Sequence, residues 1–108
     1  MKYLKKFNEA IDKEDIKDIL LELEDIGLNI INMPLKHAKN MILISSEDEY
    51  ILWEDVEDSI LRLKDYIGDS FEFYTKPVTD TECYYKLDEI PDSLRYRFMN
   101  YIKIYYKN

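Results

Sequence analysis

DIKDILLELEDIG occupies residues 15–27, and DVEDSILRLKDYIG restates it forty residues later at 55–68. In the first stretch Ile16, Ile19, Leu20, Leu23 and Ile26 recur at the spacing of one helical face, which predicts an amphipathic helix. Asp12 is placed to cap its start, acids enrich its first turn, and Gly27 supplies the stop. In the second stretch Val56, Ile60, Leu63 and Ile67 repeat the stripe, Glu54 and Asp55 fall in the first turn, and Gly68 ends it. At the offset of forty, Asp15, Asp18, Leu21, Leu23 and Asp25 recur as Asp55, Asp58, Leu61, Leu63 and Asp65.

Matching text follows each glycine. LNIINMP (28–34) and DSFEFYTKP (69–77) are β-branched and aromatic runs ending in a proline, and each leads into a second extended run, NMILIS (40–45) and TECYYKL (81–87). The repeated unit is therefore a helix followed by a hairpin, spanning 12–53 and 54–88. The first copy adds a short strand over Glu49–Trp53, reached through the polar turn SSED. In PDSLRYRFMNYIKIYYKN, Pro91 suits a first helical position, and Leu94, Phe98, Tyr101, Ile102 and Tyr105 form a helical stripe, which predicts a third helix over 91–106. A β-rich tail is the alternative, because IKIYY also alternates. The expectation is one α+β domain over residues 1–108. Its antiparallel sheet has about five strands with helices on one face, in the order α-βββ-α-ββ-α.

The chain of 108 residues is 46% hydrophobic and 35% charged with two glycines and three prolines, so it has the composition of a folded domain and not of a disordered chain. MKYLKKF at the start is basic, but the polar NEAIDKEDIKD follows at once, which predicts no secretion signal. The longest apolar runs, Met41–Ile44 and Tyr50–Trp53, are far short of the roughly 20 residues that span a bilayer. A cytoplasmic protein without a membrane partner is expected.

Charge is unevenly placed. Residues 1–8 and 91–108 are each +3, which leaves −14 on residues 9–90 of a chain whose net charge is −8. Such a body repels nucleic acid and attracts basic protein surfaces. The densest acidic stretch, EDEYILWEDVED, sets Glu47, Asp48, Glu49, Glu54, Asp55, Glu57 and Asp58 around Trp53, the composition of a binding patch with an aromatic anchor. The competing structural explanation puts Trp53 in the core and the acids at a helix N-terminus. At about 100° per residue, Leu21 lies about 140° from Ile16, off the apolar stripe, and Leu61 bears the same relation to Val56. Two outward leucines rimmed by acids form a second candidate contact, unless the third helix covers them. Arg95, Arg97, Lys103 and Lys107 alternate with tyrosines near the C-terminus, a composition that suits single-stranded nucleic acid. The acidic remainder opposes this, so docking of this segment on the acidic body, its own or a second copy's, is expected, and no nucleic-acid partner.

Catalytic signals are sparse. His37 is the single histidine and stands in no recognisable motif; Cys83 is the single cysteine, expected to be a small core side chain. Gly27 and Gly68 are isolated, so no phosphate-cradling loop is present, and neither DKED nor SEDE has the ligand alternation of a calcium loop. The expectation is a protein that is not an enzyme and needs no cofactor or metal.

MKYLKKFNEAI, DIKDILLELEDIG and DYIGD resemble the small uncharacterised proteins of large tailed bacteriophages. That resemblance covers residues 1–27 and 55–69 and implies a phage-encoded protein acting in the host cytoplasm. The order α-βββ-α-ββ-α with an acidic surface also resembles the type III secretion chaperones, at the level of fold alone. The function expected is a small acidic binding protein that modulates or inhibits a host protein with a basic surface, by mimicking nucleic-acid charge, and that forms a homodimer in one version. The alternative is a dimeric, secretion-chaperone-like or virion-associated structural protein.

Overall fold

In the computed structural model, which describes residues 11–47, 50–90, 94 and 98–107, the first amphipathic stretch forms two short helices rather than one. α1 (Lys13–Ile19) begins at Asp12, whose carboxylate accepts from the Glu14 N–H at 2.9 Å, and α2 (Leu21–Asp25) follows across Leu20. The break at Leu20 keeps Ile16, Ile19, Leu20 and Leu23 buried but turns Ile26 out to solvent. α3 (Trp53–Ile67) is continuous, with Trp53, Val56, Ile60, Leu63 and Ile67 facing inward. Gly27 and Gly68 end the two helical segments at φ of 98° and 83°, a backbone region in which a side chain would clash with its own carbonyl.

The strands are β1 (Leu28–Pro34), β2 (Lys39–Ser46), β3 (Ile51–Leu52), β4 (Glu72–Pro77), β5 (Cys83–Tyr85) and β6 (Phe98–Lys107). They form one antiparallel sheet of six strands in the order β1-β2-β6-β4-β5, with β3 also paired to β6. β2 and β3 run along the same side of β6. Ser45 lies opposite Tyr101 and Ile51 opposite Met99, so six residues advance on this side against two on β6. The expected extended run Glu49–Trp53 is thus reduced to two residues, with Trp53 already helical and Glu49 outside the described residues.

The expected helix over 91–106 is corrected from Phe98 onward, while Leu94 is helical and buried. Residues 98–107 are β6, the central strand, while 91–93 and 95–97 lie outside the described residues. Two physical reasons favour the strand. The segment is rich in aromatic and β-branched side chains, which suit a pleated surface, and Ile102, Ile104 and Tyr106 alternate inward. A helix there would also leave β1–β2 and β4–β5 as separate hairpins, and an isolated hairpin is marginal in water. β6 joins them by pairing with β2 on one side and β4 on the other. The two hairpins are not equivalently placed: the second strand of the first pair and the first strand of the second pair lie beside β6. The repeat is a repeat of helices and hairpins, not of positions in the sheet.

α1, α2 and α3 cover one face of the sheet, where Ile42, Ile44, Phe73, Ile102 and Ile104 join the helical residues in a single core. Among the described residues, no element covers the opposite face.

Candidate protein-interaction surface

α1 and α2 run antiparallel to α3. The Tyr66 hydroxyl, near the end of α3, donates to Asp15 Oδ2 at 3.0 Å and accepts from the Asp12 N–H at 2.9 Å, while Arg62 Nη2, a turn earlier, reaches Glu22 Oε2 at 3.0 Å. Burial pushes the Tyr66 phenol above its ordinary pKa, and the carboxylates beside it add to that rise. These ties form one helical layer from the two copies. Its sequence, residues 12–25 and 53–67, holds twelve carboxylates against four cationic side chains, a charge equal to that of the whole chain.

Leu21 is 48% exposed and Leu61 is 40% exposed on this layer. Leu61 lines a shallow groove with Glu22, Asp58, Arg62 and Asp65, so an aliphatic side chain sits among three carboxylates and one guanidinium. No third helix covers the leucines among the described residues, and residues 98–107 of the segment expected to do so form β6.

The acidic stretch around Trp53 divides. Glu47 is exposed beyond β2, and Glu54, Asp55 and Asp58 are exposed on α3, the first two in its first turn, where the helix dipole stabilises them. Asp48 and Glu49 lie outside the described residues. Trp53 is corrected as a partner anchor: it is 1% exposed, packs edge-on against Phe73 at 5.5 Å, and donates from Nε1 to Glu57 Oε2 at 2.7 Å. That bond satisfies the indole N–H at the boundary of the core and draws the half-buried Glu57 to an internal task.

The open face of the sheet was not singled out in the sequence. Across it, Ile31, Leu43, Lys103, Tyr74 and Tyr84 stand in one cross-strand row, and Met33, Met41, Tyr105 and Glu72 in the next. Tyr74 contacts Tyr84 at 5.2 Å and Tyr105 at 5.4 Å; Lys39 lies 4.6 Å over the Tyr105 ring and Lys103 lies 5.0 Å over Tyr101. Lys103 also pairs with Glu82 at 3.0 Å. Hydrogen bonds from Lys103 and then Tyr101 hold the Glu82 carboxyl below its ordinary range, and the same partner raises Lys103. The alternation of IKIYYK carried this face in the sequence, but the helical stripe through the same residues masked it.

His37 and Ala38 turn between β1 and β2 at φ of 62° and 60°, with His37 exposed. Cys83 is corrected as a core residue: it is half-buried on the short strand β5, with Sγ 3.4 Å from the Thr81 carbonyl. Among the described residues, no group of three or more His, Cys, Asp or Glu side chains could hold a metal, and no helix is long and apolar enough to cross a membrane. Comparison with protein-family models, with curated proteins and with solved structures returns no match.

Proposed function

We propose that this is a non-enzymatic binding protein whose acidic helical layer docks on a basic protein surface, with Leu21 and Leu61 as its apolar contacts. The observation that carries the reading is the placement of two exposed leucines on a layer of twelve carboxylates and four cations. Carboxylates spaced along helices offer a basic partner the charge it would meet on a nucleic-acid backbone, and the leucines supply the desolvated contact that charge alone lacks. Joined to the resemblance to phage proteins, this describes an accessory protein that modulates or inhibits a host protein in the host cytoplasm. The test is affinity capture from host lysate over a salt series. A specific partner retained at low salt and released as screening rises supports the reading; recovery of nothing at low salt, where attraction is strongest, contradicts it.

A further inference from the structure

We infer that the open face of the sheet is a second docking surface, and that its occupant is the acidic helical layer of another copy of this chain. The inference rests on the proposed role of that layer and adds a partner for it. Two kinds of complementarity carry it. The sheet face presents Lys39, Lys76, Lys103 and Lys107 against Glu72 and Glu82, the latter held there by its ion pair with Lys103. That is a positive excess, while the helical layer has a carboxylate excess. The sheet face also carries apolar ground, with Ile31 48% and Tyr84 50% exposed, and the helical layer carries Leu21 and Leu61. Neither surface complements itself: two helical layers repel, and two lysine-bearing faces gain nothing by meeting. The contact is therefore heterologous, one copy's helices on the next copy's sheet.

The size of the face sets the strength. Five strands side by side at about 4.8 Å, and about 3.3 Å per residue along them, give a flat footprint of roughly 20 by 20 Å. That lies below the ~800 Å² per partner of a standard interface, so the contact is weak and depends on charge. A copy engaged in this way has its acidic layer covered, so self-association and capture of another partner compete.

The experiment is sedimentation equilibrium on the purified chain and two double variants, each checked for fold by circular dichroism. The wild type should gain mass with concentration at low salt and disperse at about 0.5 M salt, where the screening length falls to about 4 Å. Leu21→Lys with Leu61→Lys disables the helical layer, removing its apolar contacts and setting positive charge against the lysine face; Lys39→Glu with Lys103→Glu disables the sheet face. Each variant alone should stay monomeric, and an equal mixture should form a one-to-one dimer that grows no further, because one intact surface of each kind remains. If either sheet substitution unfolds the chain, Lys39→Ala with Lys103→Ala takes its place. A wild type that stays monomeric, a mixture that stays monomeric, or variants that still associate alone overturns the inference. The proposed function would survive any of these, since capture of a salt-sensitive partner is measured separately.

Discussion

Glu22 and Arg62 hold equivalent positions in the two sequence copies and meet across the antiparallel helices at 3.0 Å. The residues just before them, Leu21 and Leu61, are the two exposed leucines of the layer. Because the copies pack in reverse order, equivalent positions near their middles are brought to one place on the surface. The ion pair itself is open to water, with side chains 42% and 71% exposed, so it orients the helices more than it stabilises them. A double-mutant cycle with Glu22→Ala and Arg62→Ala should show a coupling of no more than about 1 kcal/mol in urea unfolding. A larger coupling would mean that the pair is shielded from solvent.

Trp53 should behave as core. Trp53→Ala should cost about 3–5 kcal/mol in chemical denaturation, since it removes a buried ring packed on Phe73. An anchor for a partner would instead leave stability nearly unchanged and weaken binding. Native fluorescence from this single tryptophan should be blue-shifted and move red on unfolding.

Tyr106 and Asn32 form an internal polar pair between the central strand and the edge strand β1. The buried Tyr106 hydroxyl donates to Asn32 Oδ1 at 3.0 Å, while Asn32 Nδ2 has no hydrogen-bond partner among the described residues. Tyr106→Phe strands the amide oxygen and should cost about 1–3 kcal/mol. Adding Asn32→Leu removes the stranded group, so the double variant should recover most of that loss. An uncompensated double variant would show that the pair is wet.

The Glu82–Lys103 pair predicts a defined pH window. The Glu82 carboxyl is held low, so its contribution is present above the ordinary glutamate value and lost as pH falls through the folded-state value. Lys103 is held high, so its contribution is present below the ordinary lysine value and lost as pH rises through its own raised value. The pair therefore acts fully between those two ordinary values. An NMR titration should find Glu82 below the usual glutamate range, and Lys103→Met should move it upward. A Glu82 that titrates alike in both proteins would contradict the contact.

Much of the fold was legible in the sequence. Gly27 and Gly68 marked the helix ends, and LNIINMP matched β1 residue for residue because its β-branched run is bounded by a glycine and a proline. The C-terminal strand was not legible by period. Leu94, Phe98, Tyr101, Ile102 and Tyr105 fit 3.6 as well as Ile102, Ile104 and Tyr106 fit 2, and what decides between them is the unpaired sides of β2 and β4, which no local pattern contains. The same error hid the lysine and tyrosine face. Outward Leu21 and Leu61 could be placed from helical angle alone, whereas Trp53 could not: acids on both sides suggested surface, yet one of them, Glu57, serves the indole N–H.

The most direct test of the acidic layer as a contact surface is a side-by-side capture with the wild-type chain and the Leu21→Asp, Leu61→Asp variant. Surface changes at exposed positions usually move stability by no more than about 0.5 kcal/mol each, so the variant should unfold near the wild-type urea midpoint. The account predicts that the variant loses the partner which the wild type retains at low salt. Equal capture by both proteins, or an unfolded variant, would contradict it, since the leucines would then be either bystanders or part of the core.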